Sequence, residues 1–296
     1  MATEVNKRCA FLTLEERGDF VIDDEHALQP LAGIGWETSV LSWRQKDIPW
    51  SEFDVVIIRS TWDYWDDVEG FLHALQDIDQ QTRLANPLSL VRWNLAKTYL
   101  RDLERNGVPI VPTLWKDHLD LQAVQACFTE LASDEIVIKP VIGANGVDAF
   151  RLHSAMPVSE FEKVAACFPA KAGRAAMAQP FMPHILDEGE YSLFYFNGKY
   201  SHAILKVPAA GEFRSQEERG AEIRSVNPEA LLRSRVEQAI ATLKPAPLYA
   251  RIDLVRDAER DFRIMELELI EPSMYLRTEA GAPARFAQAI DDWYRQ

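Results

Sequence analysis

The chain has 296 residues, 47% of them hydrophobic and 26% charged, which suits a soluble globular protein of one large or two to three small domains. A net charge of −14 argues against nucleic acid or an anionic membrane as the main partner, because both favour a basic surface. Cys9, Cys127 and Cys167 are far apart and form no Cys-x-x-Cys pair, the N-terminus carries no signal-like apolar stretch, and no apolar run reaches the roughly 18 residues of a membrane span; a cytoplasmic protein with free thiols is expected.

The first ninety or so residues read as an α/β unit. Cys9–Leu14 suits a strand, a helix follows from Asp23 or Asp24, and Val40–Trp43 suits a second strand. Asp54–Ile58 is a continuous apolar run, as in a strand of a parallel sheet buried on both faces. It runs into Arg59-Ser-Thr-Trp-Asp-Tyr64, and ligands of open α/β sheets bind beyond the carboxyl ends of strands, so Arg59, Trp62 and Asp63 are candidate substrate contacts. The alternative is a capped turn, with Asp63 or Asp66 starting a helix over Val68–Ile78. Five tryptophans (Trp36, Trp43, Trp50, Trp62 and Trp65) suit either a core or pocket walls. Gly33-Ile-Gly35 lacks the third glycine of a dinucleotide fingerprint, and no Walker-type loop occurs.

Leu90–Asn106 reads as one helix carrying Lys97, ended by Gly107 and Pro109. Glu135–Pro140 is a strand with Lys139 near its end. The loop containing Gly143, Asn145 and Gly146 follows, then a strand over Ala149–Leu152. Glycines let backbone N–H groups approach phosphate oxygens and the lysine supplies charge, although a hairpin with an Asn-Gly turn has the same pattern. Ser159–Glu162 has the spacing of a capping box for a helix reaching Phe168. Ala176–Pro183 is apolar with two prolines, so it suits an edge or hinge more than a central strand. Backbone groups at Gln179–Pro180 can read an adenine edge, with Phe181 and Met182 lining the pocket and Asp187, Glu188 and Glu190 in reach of a ribose. Tyr191–Phe196, the Asn197-Gly198 turn and Tyr200–Val207 form a hairpin bearing Lys206. Phe213–Arg224, which contains Arg214, is polar enough to be a disordered or substrate-ordered loop. Asn227 caps a helix reaching Lys244, with Pro228 at its first position.

Tyr249–Val255 and Phe262–Glu268 alternate as two strands about a turn at Arg256–Asp261. Folding about the middle of that turn sets Asp253 opposite Ile264 and diagonal to Glu266, with Phe262, Ile264, Glu266 and Glu268 on one face. Asp253, Glu266 and Glu268 then converge, and packed carboxylates need a counter-charge, for which Mg2+ with its hard oxygen ligands is suited. A solvated strand face is the alternative. Ser273, which closes the Glu-Leu-Ile-Glu-Pro-Ser run, is a further candidate substrate contact.

Taken in order, these features resemble the ATP-grasp ligases: helix lysine, strand lysine, glycine loop, Gln-Pro-Phe-Met hinge, acids, basic hairpin, Asp strand and Glu-x-Glu strand. Residues 86–280 are similar to bacterial glutathione synthetases, with Glu268 where those enzymes carry asparagine. Through the whole chain, Val-Ile-Ile-Arg-Ser-Thr-Trp-Asp-Tyr64, Val91–Lys97, the Gly-Val-Pro-Ile-Val-Pro-Thr113 run, Gly211–Arg214 and the run ending at Ser273 resemble the small ATP-grasp group that includes the O-ureidoserine cyclo-ligase of cycloserine biosynthesis.

The resemblance implies an α/β and α+β architecture. A pre-ATP-grasp domain would occupy residues 1–90, a central lobe with a glycine-rich lid 91–180, and a C-terminal lobe with the metal site 181–296. It implies ATP and Mg2+ as cofactors, with Lys97 and Lys139 on the phosphates, Gly143–Val147 as lid, Gln179–Met182 on adenine, and Glu190 and Glu188 on ribose. Asp253, Glu266 and Glu268 would hold the metal, while Lys206, Arg214 and Arg251 would hold the oxyanion and substrate carboxylate, unless these bases are ordinary ion-pair partners. The expected partner is a small amino-acid-like substrate, with no nucleic acid and no membrane, and a homodimer is compatible with the resemblance. The implied activity is ATP-dependent C–N bond formation, favouring intramolecular cyclisation. Intermolecular carboxylate–amine ligation and non-catalytic ATP binding are the alternatives.

Overall fold

The structure is a computed structural model that describes residues 7–143, 146–170 and 174–296. Three sheets organise it. The first contains β1 (Lys7–Thr13), β2 (Trp36–Ser42), β3 (Val55–Ser60) and β4 (Arg83–Ala85), all parallel, in the order β2-β1-β3-β4. As its apolar run predicts, β3 is buried along its whole length. Helix α2 (Val68–Gln81) covers one face through Phe71, Leu75 and Ile78. The other face is covered by α1 (Leu28–Gly33) and by the C-terminal helix α9 (Ala282–Tyr294), whose Phe286 and Ile290 pack with Phe11, Trp36 and Ile57. The chain end therefore returns to the first sheet. Asp67, not Asp63 or Asp66, caps α2, its carboxylate accepting the Gly70 N–H at 3.0 Å.

The helix expected over Leu90–Asn106 is two helices, α3 (Leu88–Asn94) and α4 (Tyr99–Arg105). In the break, the Lys97 N–H donates to Val141 O at 2.9 Å, so a tertiary partner replaces a helical one. Both helices pack under the third sheet described below.

The second sheet is antiparallel: β5 (Leu114–Lys116), β6 (Glu135–Pro140), β7 (Phe150–His153) and β8 (Ala176–Pro180), in the order β5-β8-β6-β7. Strand β8, expected at an edge, lies between two partners; its only proline is the terminal Pro180, so no ladder donor is lost before it. Helices α5 (Leu121–Glu130) and α6 (Val158–Cys167) back this sheet. The capping box at Ser159–Glu162 does not form, because α6 already begins at Val158 after Pro157.

The third sheet is antiparallel, with β9 (Glu190–Phe196), β10 (Lys199–Val207), β11 (Glu222–Ser225), β12 (Tyr249–Arg256) and β13 (Phe262–Glu268) in the order β11-β10-β9-β12-β13. A short helix, α7 (His184–Asp187), precedes β9. Asn197 and Gly198, with φ of 47° and 72°, make the two-residue turn of the expected hairpin. Of the polar 213–224 segment, Glu222–Arg224 pair with β10 as part of β11, Glu217–Arg219 form a turn, and Phe213–Gln216 line the cleft described below. Helix α8 (Ala230–Thr242) starts after Glu229, not at an Asn227 cap.

One register differs from expectation with direct consequences. Asp253 pairs with Glu266 and Leu254 with Ile264, so Met265 is the extra residue of a β-bulge. Ile264 and Phe262 consequently turn into the core with Ile252, Leu254, Leu267 and Leu269, while Glu266 and Glu268 face the opposite way. Among the described residues no helix is long and apolar enough to cross a membrane.

Candidate active site

A cleft of about 230 Å3 lies where the second and third sheets face each other, with residues of the first sheet's loops at one wall. Strand β6 brings Lys139, β8 ends in Gln179 and Pro180, and Phe181 and Met182 follow; all line the cleft. Strands β9, β10 and β12 contribute Glu190, Lys206, and Arg251 with Asp253, and β13 contributes Glu266 and Glu268. Gly143 and Gly146 border the cleft, while Asn145 lies outside the described residues.

The free edge of β13 is covered by side chains. Asn94 donates to Leu267 O at 2.8 Å and accepts from Leu269 N at 2.9 Å, imitating a neighbouring strand. The buried Tyr99 hydroxyl accepts the Leu267 N–H at 2.9 Å. Ile264 exchanges backbone bonds with Pro109 O and Val111 N, each 3.0 Å long. These contacts fix the strand that presents Glu266 and Glu268.

Carboxylate oxygens of Asp253, Glu266 and Glu268 lie within 4.8 Å of one another. Lys97, which also donates to Gly143 O at 3.1 Å, pairs with Glu266. Arg251 binds both oxygens of Asp253 at 3.0–3.2 Å and pairs with Glu268. Lys206 pairs with Glu190 and stands 3.6 Å from Asp253, whose other neighbour is the Ser192 hydroxyl at 2.5 Å. Burial raises the Asp253 carboxyl, but Arg251 and Lys206 outweigh it and hold it below its ordinary value. Glu266 is likewise lowered, with Lys97 and Lys139 overcoming burial. Glu268 is pushed up to about 7 by burial, because Arg251 is shared with Asp253 and offsets only part of the cost. Burial lowers Lys139, which forms no ion pair with a described residue.

Three carboxylates that offer only oxygen donors within 4.8 Å of one another fit a hard divalent cation, and Lys139, without an ion-pair partner among the described residues, faces the same cleft and fits phosphate. Gln179 spends its side-chain amide on Thr113 Oγ1 at 3.0 Å, and in the hinge backbone the Phe181 N–H donates to Glu135 O at 2.8 Å. Arg214 lines the cleft, held by Glu212 at 2.7–3.0 Å, and reaches Gly146 O at 3.4 Å.

Three expected site residues are elsewhere. Arg59, 1% exposed, is spent on Asp24 and on Pro272 O, each at 2.9 Å. Asp63 binds the Trp43 indole at 2.6 Å and Arg44 at 3.1 Å, away from the cleft. Glu188 pairs with Arg256 at 2.9 Å and accepts from Tyr191 at 2.7 Å, so it does not line the cleft. Trp62 and Ser273 do line it: the Trp62 indole donates to Glu271 O at 2.8 Å, and Ser273 O accepts from Arg251 at 3.3 Å. Tyr64, Asn94, Tyr99, Glu271 and Tyr275, none of them among the site residues expected from sequence, also line the cleft. Tyr64 and Glu271 sit inside motifs that were singled out, but nothing local says which way they point. Burial and the nearby Glu268 push Glu271 up to about 8.

The N-terminal domain family of D-cycloserine synthetase DcsG matches residues 9–86, and the prokaryotic glutathione synthetase ATP-grasp domain family matches residues 118–257. The cycloserine biosynthesis protein DcsG of Streptomyces lavendulae is 31% identical over 278 residues, covering 89% of this chain and 91% of that protein. The crystal structure of D-cycloserine synthetase DcsG superposes with a TM-score of 0.86 at 28% identity, over 97% of this chain and 99% of that one. A glutathione synthetase of Prochlorococcus marinus subsp. pastoris is 25% identical over 228 residues, covering 74% of this chain and 66% of its own length. With bulged carboxylates, hinge and lysines in one cleft and a DcsG-like sequence along nearly the whole chain, the protein belongs to the ATP-grasp ligases of the D-cycloserine synthetase family.

Proposed function

We propose that the protein is an ADP-forming C–N ligase that closes a ring within one small amino-acid-derived molecule, in a specialised-metabolite or antibiotic pathway. The observation that carries this reading is the convergence of Asp253, Glu266 and Glu268 with Lys97 and Lys139 in a cleft also walled by the N-terminal residues Trp62 and Tyr64. That wall leaves a compact acceptor end, and tethered reactants gain from effective molarity where space is limited.

In this reading Gln179–Met182 hold adenine, Glu190 the ribose, and Lys97 and Lys139 the phosphate oxygens, with Asp253, Glu266 and Glu268 as metal ligands. Bound ATP and Mg2+ would supply a transferable phosphoryl group and charge neutralisation, so that a substrate carboxylate is activated as an acyl phosphate with release of ADP and gives up phosphate when the C–N bond forms. Arg251 and Lys206 orient that carboxylate and stabilise the oxyanion that develops when nitrogen attacks. Arg214, beside Gly146, closes the cleft against water.

The test is ADP release with MgATP against small amino acids, diamino acids and ureido-amino acids, given singly and in pairs, with product masses. Turnover of a single compound, its product holding only that compound's atoms, supports ring closure. Turnover confined to pairs, with a mass of both minus water, makes it an intermolecular ligase. ATP binding without turnover of any compound would overturn the catalytic reading.

A further inference from the structure

At its hinge end the cleft is apolar but for one side chain. Val111, Val137, Phe181, Met182 and Met265 line this end and pack together, and Gln179, 4% exposed, lies beside them. Leu114 pairs with Ala178 in the β5–β8 ladder, so one further step sets Thr113 next to Gln179. The hydrogen bonds that join the two have a fixed direction. The Thr113 hydroxyl donates to Val111 O at 2.7 Å, and a carbonyl can only accept, so the hydroxyl has no second proton to give. Toward Gln179, 3.0 Å away, Thr113 Oγ1 must accept, and the amide must present Nε2 to it and turn Oε1 aside. Val111 is itself anchored, its N–H donating to Ile264 O at 3.0 Å. Among the described residues no hydrogen bond reaches Gln179 Oε1, and that atom is not sealed from solvent.

We propose, on the nucleotide assignment of the ligase reading above, that Thr113 is a positioning residue for base selection. It fixes the Gln179 amide so that an acceptor, Oε1, meets the base edge, which admits a 6-amino purine and disfavours a 6-oxo purine. An amino group donates to Oε1, whereas a 6-oxo group sets one acceptor oxygen against another in apolar surroundings, where an unmatched polar pair is costly. Without the Thr113 hydroxyl the amide is free to turn over and offer Nε2, because its two ends are nearly equal in size. Gln179 touches the base in this assignment, and Thr113 acts through it.

Calorimetric titration with MgADP and with MgIDP, its 6-oxo counterpart, tests the assignment. Wild-type protein is expected to bind MgADP at least about 10-fold more tightly than MgIDP. Thr113→Val keeps the shape of the side chain, removes the hydroxyl, and should narrow that preference by about 5-fold or more, weakening ADP relative to IDP. Thr113→Ser restores the hydroxyl and should keep the preference. In Gln179→Glu both side-chain oxygens accept, so adding Thr113→Val to that variant should leave the ADP-to-IDP ratio within about 2-fold. Equal affinity of wild type for the two nucleotides, or an unchanged ratio in Thr113→Val, would overturn the proposal. So would the same narrowing in the Gln179→Glu background, or an equal loss of both nucleotides in Thr113→Val with lowered thermal stability, which would make Thr113 a support of the fold alone. All of these outcomes leave the ligase reading standing. Binding of neither nucleotide by wild type would overturn that reading, and this assignment with it.

Discussion

Asp253 stands directly opposite Glu266 across β12 and β13 because Met265 is the unpaired residue of a bulge. Without that extra residue, strict alternation would leave Glu266 on the face that Ile264 takes into the core. The bulge therefore separates an apolar half of the strand from an acidic half and aims the second half at the cleft. Bulges beside active sites re-aim side chains in this way.

Glu266→Gln keeps the size of the side chain and its hydrogen bond from Lys97, but removes the charge. The variant should stay folded, lose the response of nucleotide binding to added magnesium, and drop at least about 100-fold in kcat/KM. Circular dichroism, magnesium titration and steady-state ADP release check this. Activity within a few-fold of wild type would sink the metal assignment.

What the sequence disclosed and what it hid differ for physical reasons. Asp253, Glu266, Glu268, Lys97 and Lys139 were legible because their types are unusual beside apolar neighbours and their order along the chain is distinctive. The bulge was not, since one inserted residue leaves no mark on composition and shifts every later side chain to the other face. The break before Tyr99 depends on Val141, over forty positions away, so the helical pattern of Leu90–Asn106 could not reveal it. Strand β8 read as an edge from its prolines, yet its neighbours β5 and β6 come from distant segments. Arg59 and Trp62 lie in one motif at one strand end; tertiary partners alone make the first a buried clamp and the second a cleft wall.

Arg59 is thus predicted to act on stability. It neutralises the buried Asp24 and satisfies Pro272 O while 1% exposed. Arg59→Met leaves both partners without it, and breaking such a pair from one side costs about 3–5 kcal/mol. Urea unfolding of the variant should show that loss. A soluble variant of unchanged stability with only a raised KM would return Arg59 to the substrate site.

Asn86 is the second joint between the N-terminal sheet and the third sheet. Fully buried, it donates to Tyr249 O at 2.9 Å and Leu269 O at 2.7 Å, and accepts the Leu248 N–H at 2.6 Å. Asn86→Ala orphans three backbone groups at the roots of β12 and the segment after β13. Since each unsatisfied buried group costs about 1–3 kcal/mol, a loss of at least about 3 kcal/mol is expected in equilibrium unfolding. A change below 1 kcal/mol, on the order of a surface substitution, would contradict this joint.

His202 sets an acid limit on the fold. It is 3% exposed, stacks on Phe194 at 4.2 Å, and its Nε2 donates to Met274 O at 2.9 Å. Burial lowers it to about 4 from 6.5; the Met274 carbonyl and Glu279 oppose the shift and Arg285 adds to it. As pH falls below 6.5 the unfolded chain takes up a proton that the folded chain refuses, so stability contributed by neutral His202 is lost between 6.5 and about 4. Between pH 7.5 and pH 5 this group alone should cost about 2 kcal/mol. His202→Phe retains an aromatic stack and removes the titration, although it also removes the Met274 bond and lowers stability at every pH. The difference in unfolding free energy between wild type and His202→Phe should therefore shrink by about 2 kcal/mol on going from pH 7.5 to pH 5. A difference that stays constant over that range would show that His202 titrates alike in the folded and unfolded chain.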